Sequence, residues 1–363
     1  GWMSNTNGIS LGTNADNAQI GGLTPGEENV ISNNTTSEIS ISGGDMAIVQ
    51  GNILGLTPDE SAAAGAGNGI NINGSNGATI EQNVISGHTT GIRFNNSSGH
   101  TIIRNSIGVS SDGSTPFPNS NGIHMINNLN SDNNIIGSNT ITGDGNIIAE
   151  NTANAILIEG SGNNGNQIQR NSIYNNAAGI TLGGGAHNGI LPPAIDPITV
   201  GSSVTGTGTD GDIIDLYYDD SNGQGNVHLG TATVSLGTWS IGSLSLTGGD
   251  QVVATATNVG DGTSEFSPAA TFTFNYPAAE GAGEALNFDG SDDVVVITND
   301  PSFENPTYTL ETWVSITSNP GNGDTDAFIN KGTLDGALDP NGYSMGYTYD
   351  GANYQVFLGQ VNG

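Results

Sequence analysis

The chain has 363 residues, 57 of them glycine, with 34% hydrophobic and 11% charged residues, so its surface must rely on Asn, Ser, Thr and Gly rather than on mixed charge. Thirty-five acidic residues face four basic ones, Arg93, Arg104, Arg170 and Lys331, and a net charge of −31 argues against nucleic acid or anionic lipid as a partner. No apolar run approaches the ~18 residues of a membrane span, so no membrane insertion is expected, and the lack of cysteine excludes disulfides and thiolate metal sites.

Two phrases recur in step along residues 1–190. One begins with Asn: NVIS at 29–32, NILG at 52–55, NVIS at 83–86, NSIG at 105–108, NIIA at 146–149 and NSIY at 171–174. The other is a short strand: NGISL at 7–11, SEISI at 37–41, NGINI at 68–72, TGIRF at 90–94, NGIHM at 121–125, NAILI at 154–158 and AGITL at 178–182. Asn29 to Asn52 is 23 residues, Asn83 to Asn105 is 22 and Asn146 to Asn171 is 25. Units of this length, built of period-2 strands and Gly/Asn turns without helical patterning, predict a β-solenoid of about seven coils, roughly 34 Å long at ~4.8 Å per coil. Val49, Ile80, Ile102 and Ile168 are expected to stack in one inward column, and Leu54, Ile85, Ile107 and Ile173 in another. The recurring Asn is expected to take left-handed backbone angles at a corner and to bond to the Asn of the next coil.

Phrases such as IGGLTPGEENVIS at 20–32, NILGLTPDESAAAGAGNGINI at 52–72 and NSIGVSSDGSTPFPNSNGIHM at 105–125 resemble the right-handed parallel β-helix repeats of large bacterial exoproteins, within the pectate-lyase-like superfamily. That resemblance implies the fold of residues 1–190. It leaves activity open, because the superfamily holds lyases, hydrolases, epimerases and non-catalytic adhesins.

Enzymes on this fold usually work on an exposed sheet face, and the outward residues of the strand phrases are Ser10, Ser40, Asn71, Arg93, His124, Leu157 and Thr181. None is a carboxylate, whereas sugar hydrolysis ordinarily needs two. Arg93 and His124 are the only suggestive catalytic pair on this stripe, and Asn71, Arg93 and His124 are the candidate ligand-binding residues. Arg104 and Arg170 read as repeat surface positions. Two inserted loops, 55–68 and 108–121, leave the helix at the same point of successive larger units and are candidates to line a binding groove.

The helix phrases stop after Leu182, and LPPAIDP at 191–197 is a stiff connector. Alternating runs at 213–218, 227–236 and 251–257 predict an antiparallel sandwich over 191–276 that resembles bacterial immunoglobulin-like repeats, with Trp239 in its core and a spacer role. After a second linker at 277–284, residues 285–363 resemble the start of a laminin-G-like, concanavalin-type jelly roll, too short to be complete. That resemblance implies glycan or protein binding, often with Ca²⁺, for which Asp289, Asp292 and Asp293 offer closely spaced oxygens.

The acid is uneven, with 13 acidic residues in 1–190 and 22 in 191–363, so cations are expected to gather on the second half. The fold class is therefore all-β: a right-handed parallel β-helix plus β-sandwich modules. With Gly1 first and no signal peptide, the chain reads as a piece of a longer or processed protein. The expected function is that of a secreted, non-catalytic adhesin or surface-fibre segment on a bacterial cell. Its partner would be a polysaccharide or a cell-surface glycoprotein, with self-association in a fibre. The alternative is a polysaccharide lyase or hydrolase with accessory binding modules.

Overall fold

In the computed structural model, the described residues are 4–126, 130–138, 143–198 and 201–273, together with three backbone strands between 325 and 360. Residues 1–274 form one compact unit and 275–363 a second.

The repeats wind into a parallel β-helix with three sheets. Sheet A has seven parallel strands, Asn7–Leu11, Ser37–Ser42, Asn68–Asn73, Thr90–Asn95, Asn121–Met125, Asn154–Glu159 and Ala178–Gly183, stacked in that order. These are the seven strand phrases of the sequence. Sheet B runs from Gln19–Gly21 to Gln167–Gln169 and sheet C from Val30–Ile31 to Ser172–Tyr174, six strands each. Because every coil repeats the same turns, apolar residues fall into register from coil to coil.

In sheet B, Ile20 pairs with Val49, Val49 with Ile80, Ile80 with Ile102, Ile102 with Ile136 and Ile136 with Ile168. The expected column is present, with Ile136 as an added rung between Ile102 and Ile168. An insertion between Gly137 and Asn146 breaks the three-residue spacing from inward residue to Asn that marks the coils of Val49, Ile80, Ile102 and Ile168, which hides Ile136 in the sequence. In sheet C the row Leu54, Ile85, Ile107 and Ile173 likewise gains Ile148. All these side chains are essentially buried, each burial contributing about 2 kcal/mol.

The asparagines form a ladder at the corner between sheets B and C. Asn29 Nδ2 donates to Asn52 Oδ1 at 2.9 Å, Asn52 to Asn83 at 3.0 Å, Asn83 to Asn105 at 3.0 Å, Asn105 to Asn146 at 2.9 Å and Asn146 to Asn171 at 2.8 Å. The left-handed angle belongs to the preceding residue, not to the Asn: Gly51, Gln82, Arg104 and Arg170 have φ of 68°, 53°, 56° and 56°. The turn is made one residue early so that the Asn side chain can point inward along the stack. A second ladder, at the next corner, runs from Asn119 to Asn151 at 3.0 Å and on to Asn176 at 2.8 Å.

Residues 194–273 make two antiparallel sheets. Ala194–Ile195, Ser203–Thr207 and Thr238–Gly242 form one, and the other is built on Ile213–Asp219, Gly225–Thr233 and Gln251–Asn258 with two short strands. They enclose a core of Val204, Ile214, Leu216, Ile241, Val252 and neighbours. Trp239 is part of it, 3% exposed with Nε1 donating to Thr207 O at 3.3 Å. The sandwich is packed directly on the last coil of the helix within the same compact unit, where the sequence reading had a spacer. In the second unit Thr325–Asn330, Tyr343–Tyr349 and Tyr354–Gln360 form an antiparallel sheet. Asp289, Asp292 and Asp293 lie outside the described residues.

Candidate functional site

The outer face of sheet A brings the predicted residues together. Arg93 stands opposite Asn71 on one neighbouring strand and opposite His124 on the other. Period-2 alternation turns Ile92, Phe94, Ile123 and Met125 inward, all fully buried, and leaves Arg93 and His124 half-buried on the outer surface. Arg93 Nη1 donates to Asn71 Oδ1 at 3.0 Å. This neutral acceptor fixes the guanidinium without cancelling its charge, so the other donors remain for an anionic or polyhydroxylated ligand.

Beside this pair, His124 Nε2 lies 2.9 Å from Glu159 Oε2, with side chains 18% and 40% exposed. Glu159 is the last residue of its strand, one past the phrase NAILI at 154–158, and so stands outside the outward set that the sequence predicts. The signal was available, since 157 and 159 share a face of any strand that continues two residues. Asn154 Nδ2 donates to Asn121 Oδ1 and Thr181 Oγ1 to Asn154 Oδ1, both at 2.8 Å, which extends the polar network towards the last coil. The face thus holds one cation, one His–carboxylate pair and amides on a rigid stack. Glycoside hydrolysis by two carboxylates has no second carboxylate along these outer rows among the described residues.

The other predicted surface features separate from this face. Arg104 bridges Glu81 and, at 3.3 Å, Asp144, so it is a charge-paired surface residue as expected. Arg170 is not on open repeat surface: its backbone N–H donates to the Tyr217 hydroxyl at 2.8 Å in the junction with the sandwich. Loops 55–68 and 108–121 do lie on one side, closed by the bridges Leu56–Ala63 and Val109–Pro116 and joined where Ser111 N donates to Glu60 Oε2 at 2.6 Å. In the second loop, hydrogen bonds from Ser110 and Ser114 hold the Asp112 carboxyl down at about 2. The loops help to line a groove of about 370 Å³ with Leu23, Ile53, Glu60, Val84 and Ser111 on its walls, over sheet C. Asn71, Arg93 and His124 do not line it.

Three histidines are interior, His88, His100 and His187. His88 and His100 are 4% and 0% exposed, and desolvation pushes both rings down to about 4. His100 Nδ1 accepts from Ala78 N at 2.9 Å, and its ring packs against Phe94 with centroids 5.3 Å apart. Among the described residues no group of three His, Asp or Glu side chains is placed to hold a metal, and no helix is long and apolar enough to cross a membrane.

No known family description matches the chain. No curated protein matches it either. Among solved structures it is similar to the BSP domain of a biofilm-associated protein, at 24% identity over 24% of this chain, with a TM-score of 0.21. The matched stretch is 15% of that protein's length.

Proposed function

We propose that the chain is a segment of a secreted bacterial surface adhesin, in which the outer face of sheet A binds a glycan or the glycan of a surface glycoprotein without turning it over. The observation that carries this reading is the Arg93 guanidinium, held by the amide of Asn71 rather than by a carboxylate in a chain of net charge −31. Bound sugars would lie across the coils, with Asn71 and His124 as hydrogen-bonding neighbours on a face that needs no rearrangement. A glycan array tests it. Wild type should bind a defined set of glycans and Arg93→Ala should lose them at least tenfold; equal binding by both proteins would reject the site.

The second reading, a polysaccharide lyase, is favoured by one observation, the His124–Glu159 pair beside Arg93. There the His124 ring would take the proton next to a uronate carboxylate neutralised by Arg93, the freed electron pair forming a C=C bond as the neighbouring C–O bond to the leaving sugar breaks and solvent protonates that oxygen. Uronate release by wild type that disappears in His124→Ala would establish it. For the last module we propose Ca²⁺ on Asp289, Asp292 and Asp293, consistent with the 22 acidic residues of 191–363 against Lys331 alone. A melt of the full chain in millimolar Ca²⁺ should rise above that in chelator, and identical melts would reject this.

A further inference from the structure

Sheet C carries an outward row as well as its inward one. Val30, Ile53, Val84, Ser106 and Ile147 pair in that order along the stack, each one residue before an inward Ile or Leu. Alternation places this row on the outer face. Four of its five side chains are branched and apolar, whereas Ser40, Asn71, Arg93 and His124 make the outer row of sheet A polar. The later part of the row is covered by the chain itself. Ser106 Oγ donates to Ser111 O at 3.4 Å, and the Tyr174 hydroxyl donates to Gly113 O at 3.0 Å. A Cβ at Gly113 would stand 3.2 Å from Ile147 Cδ1, so the glycine lies against that side chain. The cover is a stretch of polypeptide, residues 111–113, laid across the strands.

Over Ile53 and Val84 the same row opens into the groove of about 370 Å³, with Leu23 and Pro25 beside it and Ser111 at its rim. Two carboxylates line the groove, Glu28 and Glu60, and both are fixed. Gly26 N donates to Glu28 Oε2 and Ser111 N to Glu60 Oε2, each at 2.6 Å. Hydrogen bonds from its own N–H and from that of Gly26 hold the Glu28 carboxyl below the usual range. Glu60 itself takes a left-handed backbone angle, φ 52°, at the tip of its loop. Among the described residues neither carboxylate has a cationic partner. Arg104, which follows Gln82 in the stack of corner residues, is turned to Glu81 and Asp144 instead.

A ligand for this place has to offer apolar carbon to Ile53 and Val84 and positive charge to Glu28 and Glu60. A lysine or arginine side chain has both, since its methylene stem packs on apolar surface while its head pairs with a carboxylate. The cover that residues 111–113 lay over Ser106 and Ile147 shows that polypeptide fits along this row. We propose that the groove over Ile53 and Val84 is a second binding site, separate from the face around Arg93, and that it takes an extended basic segment of a partner protein.

The experiment titrates the full chain with an N-terminally labelled Leu-Lys-Leu-Lys peptide at physiological ionic strength, where exposed charges more than about 8 Å apart are screened. Binding should saturate, and the amide signals of Ile53 and Val84 should shift while that of Arg93 does not. Glu28→Gln and Glu60→Gln each keep an oxygen for the backbone N–H they serve, so the loops stay in place, yet each should weaken binding severalfold. Glu150→Gln removes a carboxylate outside the groove, one that accepts from Asn175, and should bind like wild type. Four results would overturn the proposal: no saturable binding, an equal loss in Glu150→Gln, a Leu-Glu-Leu-Glu peptide that binds as tightly, or displacement of the peptide by a neutral oligosaccharide, which would make the groove a sugar site.

Discussion

Gln224 and Asn176, 48 residues apart, share three hydrogen bonds: Asn176 Nδ2 and Asn176 N donate to Gln224 Oε1 at 2.9 and 3.2 Å, and Gln224 Nε2 donates to Asn176 O at 2.7 Å. Both residues are buried, so the amide of a sandwich loop ends a ladder of the helix. Gln224→Ala leaves the backbone N–H and carbonyl of Asn176 without their buried partner, while its side chain keeps Asn151, Ile148 and Tyr174, at a cost of about 1–3 kcal/mol. The expected outcome is a melting temperature lower by several degrees, measured against Asn222→Ala in the exposed part of the same loop, which should melt like wild type.

Ile102 is fully buried between Ile80 and Ile136 in the sheet B column. Ile102→Asp would place a carboxylate there with no cation within the stack, at a cost of several kcal/mol. The variant should lose its β-sheet circular dichroism or fail to stay soluble. A variant with an unchanged melt would mean that residue 102 faces outward.

The helix was legible because four coils keep the same short distance from inward residue to ladder Asn, so Val49–Asn52, Ile80–Asn83, Ile102–Asn105 and Ile168–Asn171 repeat as words. Legibility failed where that distance changed, at Ile136, and where a contact was not periodic. Nothing in the turn Ser221-Asn222-Gly223-Gln224 announces a partner in the helix, and Tyr217 reads as an ordinary strand residue although its hydroxyl serves Arg170. On the candidate face, Asn71, Arg93 and His124 were found by alternation alone, while Glu159 fell past the end of the phrase. The left-handed corner was placed one residue late because Asn is a common left-handed residue, whereas here Gln82 and the two arginines take that angle.

His88 and His100 predict acid sensitivity. In the unfolded chain both rings titrate near 6.5, whereas the folded rings are held down to about 4. The unfolded state therefore takes up protons first as pH falls, so stability is full above about 6.5 and declines down to about 4, by up to about 3 kcal/mol per ring. The melting temperature at about pH 4.5 should lie well below that at neutral pH. His100→Gln should show a smaller drop over the same window, and an equal drop would contradict the assignment.

Glu38 carries the opposite sign. It sits fully buried where other coils have Gly69, Gly91, Gly122 or Ala155, its carboxyl bonded to the Asn34 amide, and burial pushes its pKa up. A raised folded pKa gives stability that is present below the unfolded value and lost as pH rises through the folded one, so the ionised group is a cost at neutral pH. Glu38→Gln should raise the melting temperature at neutral pH, with the gain shrinking towards about pH 4. A lower neutral melt would refute this.

Hydrogen exchange on the intact chain tests the closed architecture most directly. The amides of Ile168, Arg170, Asn175, Asn176 and Leu182 donate to side chains of the sandwich, so they should exchange as slowly as Asn83 and Asn105 inside the stack. If those five exchange at the rate of a free sheet edge while Asn83 and Asn105 stay protected, the sandwich is a tethered spacer and the helix is not capped by it.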